Sequence, residues 1–317
     1  MFDFDMPPLD WRTAVIPKKS GGIRKLRIPN DELKRVQRDI LNYLYTVKEL
    51  RPSGFAHGFV PFRNTCTGAM RHDRKAEVIL CMDVQDFFDN FPVEPVRQAL
   101  LNAHIGRVLT DKIITACTCD GSFPQGGPCS PYLTNIGMKE VDLLISAYAA
   151  NNGFNYSRYA DDIALSRDPH TTVPEKRNYK HIFFGVEKIL KERLGLHLKH
   201  KKDHTIWLHS KKAPRRITGV VIRKDGTGYN APMKMRKLGR AMLHRLYQRI
   251  SDRNGVVLDS DWVDWRKVLG YVQYFDRIRA YSEPESATAD PKIPENQFNY
   301  LAARFGMKRR TSNENIQ

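Results

Sequence analysis

Residues 155–166 read NYSRYADDIALS and set two aspartates, Asp161 and Asp162, side by side between two runs of strand-forming residues. Tyr156, Tyr159, Ile163 and Leu165 have the character of strands, so the segment predicts a β-hairpin whose tight turn is Ala160 to Asp162. Adjacent carboxylates repel, and an apolar setting adds a desolvation cost to each charge. A solvated hairpin tip accounts for one aspartate and is the ordinary setting of the tripeptide ADD. The second, beside an aromatic strand, asks for a cation between or next to the pair.

A third acid stands at the end of another apolar run. The stretch AEVILCMDVQDFF, 76–88, reads as a buried strand ending in charge, with Asp83 at its end. Three carboxylates gathered at adjacent strand ends could hold two divalent cations roughly 3.5–4 Å apart, one activating an attacking oxygen and the other steadying a leaving pyrophosphate. Two Mg2+ ions suit such a set, because magnesium prefers carboxylate oxygens together with substrate phosphates.

Composition limits the partners. The chain has 52 Lys and Arg against 35 Asp and Glu, a formal charge of +17 and a pI near 9.7. Such a surface attracts polyanions, although ribosomal and membrane-surface proteins share the bias. A hydrophobic content of 41% over 317 residues is enough for one large core or two to three modest ones, which excludes disorder throughout. No apolar run approaches the roughly 18 residues of a membrane span, and the start MFDFDMPPLDWRTAV has no basic segment leading into an apolar one. A cytoplasmic location is expected. Five cysteines without a CxxC pair indicate neither a disulfide framework nor a zinc ribbon. The histidines of HLKHKKDH, 197–204, lie among lysines, the pattern of a solvated basic surface rather than a metal site.

Along the chain, IPKKSGGIRKLRIPN, 16–30, predicts a hairpin turning at Gly21 and Gly22 and carrying Lys18, Lys19, Arg24, Lys25 and Arg27. Helical periodicity marks 32–47, 93–106, 131–149, about 175–194 with a stop at Gly195, and about 262–281. Strands are expected at 204–208 and 216–222. From Met233 the residues Met235, Leu238, Met242, Leu246 and Ile250 form an apolar stripe, with Lys234, Arg236, Lys237, Arg240, Arg245 and Arg249 around it. A helix packed on one face explains the stripe. The density of cations adds contact with a nucleic-acid backbone. The stretch SEPESATADPKIPENQ, 282–297, reads as a linker or loosely held tail.

Taken in order, MDVQDFFDNF (82–91), SFPQGGPCSP (122–131), RYADDIAL (158–165) and LGLHLKHKK (194–202) resemble the palm of a reverse transcriptase, over about residues 15–281. The resemblance implies an α+β right-hand polymerase. Its fingers and palm would occupy 1–225, with an antiparallel sheet backed by helices. A helical, RNA-binding thumb would follow at 226–281 and a tail at 282–317. It also implies residue roles. Asp83, Asp161 and Asp162 would be the metal-binding catalytic acids, and Phe88 the aromatic gate that crowds a ribose 2′-hydroxyl. Gln125 and Gly126 would line the nucleotide pocket, where glycine admits close backbone approach. Arg24, Lys25 and Arg27 would be the finger cations for the triphosphate. Lys202 would protonate pyrophosphate, although Lys199 and Asp203 stand where the family has Asn and Thr. Gly219 falls on the primer-grip turn.

Within the family the short length and the segments TGAMRH, 67–72, and ITG, 217–219, resemble the bacterial retron enzymes, with Gly68 in place of their asparagine and Ala69 and His72 retained. The residues after 281 are too few for an RNase H or maturation domain. Retron membership implies a cognate structured non-coding RNA as partner and template, deoxynucleotide substrates, and priming from a guanosine 2′-hydroxyl to give branched RNA-linked DNA (msDNA). It also implies an accessory toxic effector in antiphage defence. Two alternatives stand beside it: another stand-alone prokaryotic reverse transcriptase without internal priming, and a catalytically idle RNA-binding scaffold.

Overall fold

The computed structural model describes residues 2–17, 21–76, 78–172, 179–200, 215–223, 228–281 and 295–306. Two compact units make up the chain, Met1–Leu208 and His209–Gln317.

The first unit opens with an antiparallel ribbon of β1 (Trp11–Pro17) and β2 (Ile23–Pro29), with Gly21 and Gly22 both at positive φ before β2. Helix α1 (Asp31–Thr46) starts where the Asn30 side chain accepts the Leu33 amide and where Asp31 and Glu32 meet the positive end of the helix dipole. It buries Leu33, Ile40 and Leu44. Then come α2 (Thr65–Ala69), β3 (Ile79–Asp83), α3 (Phe87–Asn90), α4 (Glu94–Asn102), α5 (Arg107–Cys117), α6 (Ser130–Gly137), α7 (Lys139–Asn151), β4 (Phe154–Tyr159), β5 (Asp162–Arg167) and α8 (Lys180–Leu194). Strand and helix divide the stretch 76–88, because after Asp83 the chain bends through Asp86 in the left-handed region (φ +42°) and tucks Phe87 and Phe91 into the core.

The central sheet has strand order β3-β5-β4, all antiparallel. Residues 163–166 of β5 are buried without alternation, as in a strand covered on both faces. Neither edge is left bare. Segment 55–57 hydrogen-bonds to Arg158 of β4, and the chain after α8 returns along β3, with the Gln85 amide donating to His197 O (2.8 Å) and the Lys199 amide to Asp83 O (2.9 Å). Gly195, in the left-handed region at φ +67°, stops α8 and permits that return.

In the second unit β6 (Arg215–Ile217), β7 (Val220–Ile222) and β8 (Tyr229–Asn230) form a small antiparallel sheet, followed by α9 (Met233–Ser251), α10 (Asp259–Ala280) and α11 (Glu295–Arg304). By contacts the two units divide at residue 208, and the small sheet packs on α10. Two expectations need correction here. The buried face of α9 is Gly239, Leu243, Leu246 and Ile250, while Leu238 is exposed. Gly239 sets this rotation, because a Cβ there would lie 3.1 Å from the Phe275 ring of α10. Finally, 282–317 is not merely a loose tail. Its helix α11 buries Leu301 and Ala302, and Phe305, just beyond it, stacks on the buried Trp265 at 4.9 Å. The expected strand 204–208 lies outside the described residues. None of the five cysteines is in a disulfide.

Candidate active site

Strand register brings the three acids to one end of the sheet. Asp83, the last residue of β3, pairs with Asp162, the first of β5, and Asp162 pairs in turn with Tyr159 of β4. Ala160 and Asp161 form the hairpin tip, and the Val84 amide donates to the Asp161 carbonyl at 3.0 Å. Acids distant in sequence thus meet because one strand lies between two others.

The charges at this end are not silent. The Asp161 carboxyl is held above the ordinary carboxylate pKa, first by burial and then by the neighbouring Asp83 charge, with Lys199 and Arg24 pulling the other way. Lys199 Nζ forms an ion pair with Asp83 Oδ1 at 2.5 Å. Among the described residues no three Asp, Glu, His or Cys side chains converge closely enough to enclose a metal ion. The backbone aligns three carboxylates, but the Asp83 side chain is turned to an ammonium. An all-carboxylate donor set, with one member destabilised by its neighbour's charge, still fits a hard divalent cation.

The basic ribbon contributes unevenly. Neighbouring strand residues face opposite sides, so Arg24 lies on one face and Lys25 and Arg27 on the other. Arg24 is the ribbon cation whose charge reaches Asp161. Arg27 is occupied elsewhere, with its guanidinium on Thr13 Oγ1 (2.5 Å) and Asp120 Oδ2 (2.9 Å). Its backbone holds the loop of Gln125 and Gly126, the Arg27 amide donating to Gln125 O at 2.9 Å. Gly126 has φ +121°, and a Cβ there would lie 2.6 Å from Arg27 O, so only glycine lets this loop dock on β2.

The family profile described as reverse transcriptase (RNA-dependent DNA polymerase) matches residues 16–222, which include every acid of the site. The chain belongs to the reverse transcriptase family. Dependence on a divalent metal is general to that family. Among curated relatives, this reverse transcriptase is 30% identical to the Retron Mx65 reverse transcriptase of Myxococcus xanthus, over 74% of the chain and 55% of that protein. It is 28% identical to the Retron Mx162 enzyme of the same organism, over 78% of the chain and 54% of the relative. Against the Retron Ec86 reverse transcriptase of Escherichia coli the identity is 25%, over 84% of the chain and 82% of the relative. The chain thus spans little more than half the length of the two myxococcal proteins.

In this reverse transcriptase Phe88 differs from its neighbours. Phe87 and Phe91 are buried in the core, while Phe88 sits half-exposed on α3, edge-on to Phe87 at 5.2 Å. The cations Lys234, Lys237, Arg240, Arg245 and Arg249 are exposed on α9, but Arg249 is tied to Asp261 and Asp264, and Arg236 is half-buried. Gly219 holds its turn at φ +87°, its carbonyl accepting from Tyr274 of α10. Lys202 lies outside the described residues. Lys199, noted in the sequence only as a departure, is the cation that reaches Asp83. Nothing in its immediate sequence marks it, because the contact depends on the chain after α8 lying beside β3. Candidates for a membrane span are absent among the described residues, no helix being long and apolar enough.

Proposed function

We propose that the protein is a retron-type RNA-directed DNA polymerase that copies a structured RNA into branched RNA-linked DNA. The observation that carries this reading is the register of β3 against β5, which sets Asp83 opposite Asp162 beside the Asp161 tip. The retron relatives favour this subtype over other stand-alone reverse transcriptases. The presence of all three acids weighs against an idle scaffold.

Asp83, Asp161 and Asp162 would hold two Mg2+ ions, which when bound acidify the attacking hydroxyl and neutralise charge on the leaving pyrophosphate. The remaining work belongs to the chain. Asp83, which here pairs with the Lys199 ammonium, would be one of the metal-holding residues, with Lys199 beside the site as a cation for phosphate charge. Arg24 meets the triphosphate, and the Gln125–Gly126 backbone supports the nucleotide from beneath. Phe88 crowds the 2′ position and so excludes ribonucleotides. Lys202 donates a proton to the departing pyrophosphate. The exposed cations of α9 hold RNA by phosphate and shape. A guanosine 2′-hydroxyl of the cognate RNA serves as primer, and the product joins a defence system with a toxic effector in the cytoplasm.

The test is incubation of the purified protein with the structured RNA encoded beside its gene and with labelled deoxynucleotides. DNA joined to RNA through a bond that a 2′,5′-debranching enzyme cleaves is the expected product. Linear DNA alone would reassign the protein to the stand-alone enzymes. Asp161→Asn should abolish synthesis while RNA affinity stays near normal, and extension at the wild-type rate by that variant would overturn the metal assignment.

A further inference from the structure

The strand that leads into the catalytic hairpin carries a charge no aspect of the proposed chemistry uses. Arg158 of β4 is fully buried, as is its partner Asp142 on α7. The guanidinium grips Asp142 with two parallel bonds, Nε to Oδ1 at 2.7 Å and Nη2 to Oδ2 at 2.8 Å. Asp142 also accepts from the hydroxyls of Tyr156 (2.7 Å) and Ser53 (2.6 Å). Burial opposes the charge on Arg158, but the Asp142 charge and hydrogen bonds outweigh it and hold the guanidinium ionised. Stability alone does not explain such a pair, since well-packed apolar residues in its place are often neutral or stabilising.

What an apolar side chain could not do is reach the hairpin tip. Arg158 Nη1 donates to the carbonyl of Ala160 at 3.0 Å and to Asn135 Oδ1 at 2.9 Å. Ala160 is a non-glycine residue at φ +54°, a conformation that costs roughly 1–2 kcal/mol for an L-residue. Its carbonyl belongs to the peptide plane that leads directly into Asp161. Fixing that oxygen holds the peptide plane before Asp161, and the Val84 amide holds the Asp161 carbonyl after it at 3.0 Å, so together they set the direction in which the Asp161 Cα–Cβ bond leaves the backbone. Asn135 also holds the neighbouring loop, donating from Nδ2 to Gly58 O at 2.8 Å, and Gly58 lies so close that a Cβ there would stand 2.8 Å from the Ala160 nitrogen.

We propose that Arg158, locked by Asp142, is a positioning residue that sets the Asp161 carboxylate from beneath through the Ala160 carbonyl. The inference rests on the polymerase reading above. Lysine at 158 keeps the charge opposite Asp142 but cannot form the two-bond grip and reach Ala160 together. Arg158→Lys is therefore expected to lose roughly 10- to 100-fold in kcat, the scale of a misplacement near 1 Å, with the deoxynucleotide KM changed less than about threefold. The Mg2+ concentration giving half-maximal rate should rise in the same variant.

A second variant, Arg158→Met with Asp142→Leu, removes both charges at once. It should still fold, with a lowered melting temperature because Tyr156, Ser53, Asn135 and the Ala160 carbonyl lose buried partners, and its kcat should stay depressed. Wild-type kcat in either folded variant overturns the inference. So does failure of the double variant to fold, which would make the pair structural. Asp161→Asn in parallel keeps the two readings apart: if it is inactive while Arg158→Lys is fully active, only the positioning role fails; if it is active, the metal assignment of Asp161 fails; and a wild-type protein that makes no DNA sinks the polymerase reading.

Discussion

Replacing Gly126 with alanine probes the docking of the Gln125–Gly126 loop, proposed to line the nucleotide pocket, on the ribbon of β1 and β2. The new Cβ would stand 2.6 Å from Arg27 O and 3.2 Å from Arg27 C, both backbone atoms that cannot swing aside. At φ +121° the alanine backbone itself is strained by roughly 1–3 kcal/mol. Relief of the overlap requires the loop to retreat, which lengthens the 2.9 Å bond from the Arg27 amide to Gln125 O and forfeits about 1 kcal/mol. Together these give a loss of roughly 2–4 kcal/mol. Urea unfolding of Gly126→Ala beside Gly270→Ala measures it. Gly270 lies exposed inside α10 with nothing within 4 Å of its Cβ position, so alanine there should stabilise by roughly 0.5–1 kcal/mol. Gly126→Ala should also raise the deoxynucleotide KM, because Gln125 moves with the loop. A change in stability below about 1 kcal/mol with unaltered KM would show that the loop does not rest on β2 as described.

Three further expectations follow from the same structure. Because Asp161 has its pKa raised in the folded protein, the ionised form weakens the fold as pH rises above the ordinary carboxylate value near 3.9. Asp161→Asn in metal-free buffer should therefore be more stable than wild type at pH 7, and urea midpoints should converge as pH falls to about 4; an equal difference at both pH values refutes the raised pKa. His72 is buried with its ring nitrogens on Ser157 Oγ (2.7 Å) and Ser166 Oγ (2.8 Å), and burial, then the Arg71 charge, push its pKa down to about 3. Such a histidine contributes stability that is full above about 6.5 and is lost as pH falls toward 3, so His72→Ala should cost roughly 2–5 kcal/mol at pH 7 and show a shallower acid slope, which acid titration of both proteins checks. Phe88→Ala should admit ribonucleotides, raising their incorporation relative to deoxynucleotides by tenfold or more on the scale of about 1.4 kcal/mol of lost steric exclusion, and an unchanged ratio would return Phe88 to a packing role.

Much of the fold is written locally. The start of α1 follows from an asparagine cap and two acids, the stop of α8 from Gly195, and the hairpin of β4 and β5 from strand formers around a turn. These signals need only a few neighbouring residues, so they survive in a single sequence. The α9 stripe is ambiguous in sequence because 233–251 offers apolar residues on more than one face, and the contact with α10 at Gly239 chooses between them. Helix α5 is not legible in the sequence, because its buried set of Thr110, Ile113, Ile114, Ala116 and Cys117 is a weak apolar signal.

The amino-acid order by itself determined that three aspartates stand at the ends of apolar runs and that the chain has the motifs of a reverse transcriptase. Tertiary structure alone decided which charges answer them: Lys199 on Asp83, Arg24 rather than Arg27 toward Asp161, and Arg158 beneath the hairpin tip. The reason is the range of the forces. Turn and strand preferences act over a few bonds, whereas a salt bridge or a buried hydrogen bond depends on distances that only strand pairing and helix packing fix.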